Sequence, residues 1–74
     1  MKKSYKLRNL DCANCAAKME AAISRLPEID TAELNFMTQR MTLTFADDAM
    51  EADVLKKVKK CIAKVEPDCE VVGV

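Results

Sequence analysis

The chain has 74 residues, of which 50% are hydrophobic and 32% are charged, and this composition is that of a small folded domain rather than a disordered segment. Twelve basic residues balance twelve acidic ones, so the chain lacks the basic excess typical of a general nucleic-acid or membrane-surface binder. No apolar run approaches the roughly 18 residues of a membrane span.

The first two predicted elements are a strand and a helix. Residues 4–10 alternate, with Tyr5 and Leu7 on one side and Lys6 and Arg8 on the other, which is the period of a half-buried strand. From Ala13 or Asn14 onwards the apolar residues recur at helical spacing instead. This apolar stripe consists of Ala16, Met19, Ile23 and Leu26. Pro27 is expected to end the helix because it disfavours helical geometry at the residue before it.

Two further strands are predicted to form a hairpin. Residues 29–36 alternate, and so do residues 40–45. The residues expected to point inward are Ala32, Leu34 and Phe36 from the first strand, and Met41, Leu43 and Phe45 from the second. The connection, residues 37–39, lacks the Gly or Asn that favours a two-residue hairpin turn, so its conformation is not specified by the sequence.

A second helix is predicted to open at Asp47 and Asp48, where Asp48 and Glu51 resemble a capping box. Acidic residues lie at its start and lysines toward its end, which suits the helix dipole. Its apolar stripe consists of Val54, Leu55, Val58, Cys61, Ile62 and Val65. Pro67 is expected to stop the helix, and residues 69–74 are predicted to form a final strand.

The order of these elements, β-α-β-β-α-β, predicts an α+β fold of the split βαβ, or ferredoxin-like, type. In that arrangement a four-stranded antiparallel sheet carries both helices on one face. No linker rich in Gly, Pro or Ser divides the chain, so residues 1–74 are expected to form one domain.

The candidate chemistry lies in two cysteines, Cys12 and Cys15, at the start of the first helix. The free N–H groups and the positive dipole end of a helix N-terminus favour a thiolate over a thiol, and a CxxC motif lowers a cysteine pKa further. Two such thiolates can converge on one soft metal ion. They can equally form a disulfide with each other, and spacing alone does not choose.

Other features favour metal over redox chemistry. No secretory signal is evident, so we expect the cytosol, where thiols stay reduced. A thioredoxin-like redox fold needs a parallel crossover after the helix, whereas this chain continues into a hairpin. A zinc ribbon needs a second CxxC, but Cys61 and Cys69 are eight residues apart. Cys61 fits the apolar stripe as a small hydrophobe. A CxxC redox module remains the alternative.

The stretch from Tyr5 to Phe45 resembles the heavy-metal-associated domain family, with strand, CxxC, helix stripe and hairpin in register. That family includes copper chaperones, the N-terminal module of mercuric reductase and cytosolic modules of metal-transporting P-type ATPases. The resemblance implies a ferredoxin-like monomer that binds metal but catalyses nothing itself. It also implies an excised part of a larger transporter on the cytoplasmic face of the cell membrane. Its partners would be the metal ion and the parent's other domains, with no nucleic acid and no direct membrane contact.

The departures from the copper pattern suggest which ion is bound. Copper-handling members usually carry Gly-Met-x-Cys, whereas this chain has Asn9, Leu10 and Asp11 before Cys12. Zinc and cadmium prefer about four ligands, and zinc accepts a carboxylate oxygen. "DCANCAAK" therefore resembles the zinc, cadmium and lead exporters, with Asp11, Cys12 and Cys15 as ligands and copper(I) as the less favoured ion. The other interpretation of Asp11 is a helix N-cap.

A second loop, residues 64–71, extends this comparison. Copper members often have Gly-Tyr or Gly-Phe there, whereas this chain has Glu66, Pro67 and Asp68. In this fold the loop is expected to lie close to the CxxC loop. Glu66, Asp68 and Cys69 are therefore candidate additional metal ligands, and the simpler interpretation of the two acids is a solvated turn.

Overall fold

The computed structural model describes residues 1–73 and contains six elements. They are β1 (Lys2–Arg8), α1 (Ala13–Ser24), β2 (Ile29–Asn35), β3 (Arg40–Phe45), α2 (Glu51–Val65) and β4 (Glu70–Val71). The strands form one antiparallel sheet in the order β2-β3-β1-β4. The predicted ferredoxin-like βαββαβ architecture is confirmed. Neither helix within this range has the length and apolar character that a membrane crossing requires.

The core lies between one face of the sheet and the two helices. The inward residues of β1 and β3 alternate as predicted, with Tyr5, Leu7, Met41, Leu43 and Phe45 all buried. The helices meet them with their apolar stripes, and the buried residues are Ala16, Met19 and Ile23 of α1 and Val54, Leu55, Val58 and Ile62 of α2. Cys61 packs against this core at its margin. Removing a large apolar side chain from water in this way contributes about 1.5–3 kcal/mol per residue.

The hairpin turn is longer than predicted and excludes Phe36 from the core. β2 ends at Asn35, whose side-chain oxygen accepts the N–H groups of Met37 and Thr38 at 2.9 and 3.1 Å. Phe36 therefore lies in the turn and is 38% exposed, so its predicted inward position is wrong. Met37 is exposed, as a turn residue should be.

The start of α2 also differs from the prediction. The helix begins at Glu51, and its N-cap is Met50, which makes no side-chain capping bond. The Asp48–Glu51 capping box is wrong because the Glu51 carboxylate is already engaged by β1. It accepts hydrogen bonds from the Lys3 ammonium at 2.7 Å and from the Tyr5 hydroxyl at 2.5 Å. These contacts fix the first turn of α2 to the sheet.

The last strand is shorter than predicted. Only Glu70 and Val71 pair with β1, opposite Arg8 and Leu7. The chain then turns at Gly73, where φ is +80°, a value that glycine adopts without strain. The predicted strand extended to Val74, which lies outside the described residues.

Candidate metal centre

The CxxC loop places Cys12 at the N-cap of α1. The chain leaves β1 through Asn9, whose φ of +65° lies in the left-handed region that asparagine tolerates. Leu10 then enters the core with 1% of its surface exposed. The Cys12 Sγ accepts a hydrogen bond from the backbone N–H of Cys15 at 3.1 Å. The alternative of Asp11 as N-cap is wrong, because Cys12 occupies that position.

The two thiols are held close together and differ in acidity. The pKa of Cys12 is lowered because its sulfur accepts hydrogen bonds from the thiol and the N–H of Cys15 and from the N–H of Asn14. The pKa of Cys15 is raised to about 12, chiefly because its thiol donates to Cys12, and further by burial and the Glu66 carboxylate. Cys12 is therefore the more acidic of the two thiols, and Cys15 favours its protonated form.

The second loop lies beside the CxxC loop, as predicted. The side-chain amide of Asn9 donates a hydrogen bond to the backbone oxygen of Asp68 at 3.2 Å. Glu66, at the start of this loop, acts electrostatically on Cys12, Cys15 and Cys69. The loop thus adds negative charge to the surroundings of the thiol pair.

Cys69 is buried behind the same loop. It is 7% exposed, and its N–H donates to the Glu66 carbonyl at 3.0 Å. Burial raises the pKa of this thiol, and the carboxylates of Glu66, Asp11 and Glu70 raise it further. Cys69 therefore favours the protonated form while it remains buried.

The remaining candidate ligands are less organised than the thiol pair. The Asp11 and Asp68 side chains are exposed, and Glu66 is half-buried. Across the described range, 1–73, no three His, Cys, Asp or Glu side chains are grouped so as to hold a metal ion. The preformed part of the centre is Cys12 with Cys15, whose soft sulfur donors suit a soft cation.

One residue at this end of the molecule was missed by the sequence analysis. Gln39, the last residue of the hairpin turn, bonds the backbone of Leu10 with both ends of its side-chain amide. Gln39 and Leu10 are 29 positions apart, and no local pattern marks such a contact. A glutamine in a turn is otherwise unremarkable, so the sequence offered no signal for it.

Comparison with known proteins places these features in a family. Residues 4–69 match the family model described as "Heavy-metal-associated domain". The chain is 34% identical over 67 residues to the "Cadmium, zinc and cobalt-transporting ATPase" of Bacillus subtilis (strain 168), covering 90% of this chain and 9% of the ATPase. It is 35% identical over 63 residues to the ATPase of the same description from Helicobacter pylori (strain ATCC 700392 / 26695), and this match covers 85% of this chain and 8% of that ATPase. The chain thus spans less than a tenth of these relatives.

A solved structure supports the architecture. The copper binding domain from HMA7, a P-type ATPase, superposes with a TM-score of 0.71 at 20% identity, and the match covers 97% of this chain and 93% of that domain. At this level of identity the likeness establishes the shared ferredoxin-like fold.

Proposed function

The chain belongs to the heavy-metal-associated domain family, and from this premise we propose that it binds and exchanges one soft divalent ion, zinc, cadmium or lead. Cys12 and Cys15 are the principal ligands, and Asp11 supplies a third. The observation that carries the proposal is the thiol pair at the N-terminus of α1, where the Cys15 N–H lies 3.1 Å from the Cys12 sulfur.

The chemistry of the donors supports a divalent ion. Two thiolates are soft ligands that zinc and heavier ions accept, and a carboxylate oxygen adds negative charge for a doubly charged cation. Asp11 directly precedes Cys12 and its side chain is exposed, so it is free to turn toward an ion. Glu66, Asp68 and Cys69 are further candidate ligands in this proposal, because the Asn9–Asp68 contact holds their loop beside the thiols.

We further propose that the domain serves a longer P-type ATPase on the cytoplasmic face of a membrane. Its relatives are described as transporters of cadmium, zinc and cobalt. Cys12 and Cys15 are both partly accessible, so incoming ligands from another domain of the parent can replace them one at a time. The domain would act as a monomer that holds cargo, while the parent would hydrolyse ATP to move it.

Metal titration of the reduced protein tests the site. Cys12→Ser and Cys15→Ser are expected to abolish tight binding of zinc and cadmium. Asp11→Ala is expected to weaken it about tenfold, equivalent to about 1.4 kcal/mol. Asp47→Ala removes an exposed acid from the turn before α2 and serves as the matched control, with unchanged affinity expected. Unchanged affinity in the cysteine variants would refute the site, and unchanged affinity in Asp11→Ala would refute the choice of ion.

Copper(I) is the second candidate ion. Within residues 1–73, no His, Asp, Glu or further Cys side chain is grouped with the two thiols as a third metal ligand. Thiolate ligands select Cu(I). A copper chaperone or copper ATPase module predicts that Asp11→Ala leaves Cu(I) affinity intact and that Cu(I) displaces zinc.

A thiol redox module predicts instead a Cys12–Cys15 disulfide with a potential of about −200 to −230 mV, as in glutaredoxins.

A further inference from the structure

The side chain of Gln39 ties the hairpin turn to the loop that carries the thiols. Its Oε1 accepts the backbone N–H of Leu10 at 3.0 Å, and its Nε2 donates to the Leu10 carbonyl at 2.5 Å. The same nitrogen also donates to the Phe36 carbonyl at 2.8 Å. Both amide hydrogens and the amide oxygen are therefore used, and only one orientation of the amide satisfies all three contacts.

The backbone of Gln39 makes this use of the side chain more informative. Its φ is +56°, in the left-handed region that glycine and asparagine adopt more readily than glutamine. A glycine would therefore suit the turn better on backbone grounds. Glutamine is less favourable than glycine for this backbone conformation, but its side chain is long enough to reach Leu10.

Leu10 connects Gln39 to the loop that carries the thiols. Its side chain is buried in the core and both of its backbone polar groups are bonded to Gln39. Cys12 follows two residues later. The loop is thus fixed immediately before the first thiol, and a loop that is already ordered loses less freedom when it closes on a ligand.

We propose that Gln39 is a positioning residue for metal binding, which slows release of the ion by holding the Leu10 backbone and hence the Cys12 loop in place. This inference rests on the proposed metal-binding function. Groups that orient ligands without touching the metal commonly change affinity by 10–100-fold when they are removed.

The test compares zinc release from the wild type, Gln39→Gly and Gln39→Asn. Both variants accept the positive φ, but glycine has no side chain and asparagine is one methylene too short to span to Leu10. We expect about tenfold faster zinc release to a chelator in both variants. We also expect faster hydrogen exchange at the Leu10 amide, measured by NMR without metal. All measurements are made well below the melting temperature, so that each protein is fully folded.

Thr38→Gly is the matched control, because it adds the same freedom to the turn while Gln39 stays in place. It is expected to release zinc like the wild type. Wild-type release rates in Gln39→Gly and Gln39→Asn would overturn the inference, as would equally fast release in Thr38→Gly. If Gln39→Gly does not fold, Gln39→Asn decides the question. A wild type that binds neither zinc nor cadmium would instead refute the proposed function itself.

Discussion

At the scale of single residues, the two thiols of the CxxC loop are chemically unequal although their sequence surroundings look alike. The Cys12 sulfur accepts hydrogen bonds and its pKa falls, whereas the Cys15 thiol donates and its pKa rises to about 12. The sequence predicted that both lie at a helix N-terminus. It did not predict the asymmetry in pKa, which depends first on the hydrogen bond between the two side chains and then on the Cys15 N–H that bonds the Cys12 sulfur.

Alkylation of the metal-free protein should reveal this asymmetry. Because the thiolate is the reactive form, iodoacetamide at neutral pH is expected to modify Cys12 before Cys15 and before the buried Cys69. Peptide mapping by mass spectrometry over a time course measures the order. Equal rates at Cys12 and Cys15 would contradict it.

Metal affinity should rise with pH for the same reason. The pKa of Cys15 lies at about 12, so this thiol is protonated at neutral pH and must lose its proton to bind. Lower pH opposes that loss, and zinc binding is expected to weaken as pH falls from 8 toward 6 and to release about one to two protons per ion. Calorimetry in buffers of different ionisation enthalpy counts these protons. A binding enthalpy independent of buffer would disagree with this prediction.

At the scale of elements, periodicity predicted the contents of helices and strands better than their ends. Most residues of the two predicted helix stripes are buried, and Leu26, Cys61 and Val65 are partly buried. This much was predictable because helical spacing is a local property of the sequence. The beginning of α2 was misplaced because Glu51 bonds Lys3 and Tyr5, which lie more than forty residues earlier. A capping pattern in four consecutive residues cannot show that distant residues of β1 bond the same Glu51 carboxylate.

Substitutions at the start of α2 should distinguish a helix-capping role for Asp48 from the attachment of Glu51 to β1. Asp48→Ala is expected to change the free energy of unfolding by less than about 0.5 kcal/mol, because Asp48 is exposed and caps nothing. Glu51→Gln is expected to destabilise the protein clearly more, because it removes the charge that Lys3 and Tyr5 contact. Urea unfolding followed by circular dichroism measures both, and a larger loss in Asp48→Ala would restore the capping box.

Acid should weaken the attachment of α2. The Lys3 ammonium, followed by the Tyr5 hydroxyl, holds the pKa of Glu51 below its ordinary value of 4.5. This pair therefore stabilises the folded state above about pH 4.5 and loses its contribution as pH falls through the lower folded value. Wild-type stability is expected to decline more steeply than that of Glu51→Gln over this range. Parallel curves in unfolding experiments at several pH values would contradict the assignment.

At the scale of the whole molecule, the fold was predictable from the sequence, but the contacts that hold the CxxC loop in place were not. The order of elements and the period of each one led to the ferredoxin-like sheet and placed the CxxC motif after β1. The two contacts that fix its loop, Asn9 to Asp68 and Gln39 to Leu10, connect residues 59 and 29 positions apart. Such pairs arise only once the strands are packed, so no local reading of the sequence contains them.

Substitutions on the two faces of β3 test the one-sided core. Leu43 is fully buried, whereas its neighbour Thr42 is half-buried on the opposite face. Leu43→Ala is expected to cost about 2–5 kcal/mol because it leaves a cavity, which is a large share of the stability of a small domain. Thr42→Ala is expected to cost far less. Comparable losses in the two variants, measured by thermal unfolding, would contradict a core on one face only.

The brevity of β4 has a consequence for how the protein behaves at high concentration. Within residues 1–73, β4 pairs with Leu7 and Arg8, and the Val72 N–H donates to the Lys6 carbonyl at 2.8 Å, so the part of this border of β1 that precedes Lys6 has no strand beside it. Lys2 and Lys6 are exposed along this border, whereas the Lys3 ammonium is paired with Glu51. Alignment of two copies along this border would crowd their ammonium groups together, and lysines on such borders discourage fibril-like stacking. We therefore expect these lysines to disfavour edge-to-edge pairing of two copies along β1.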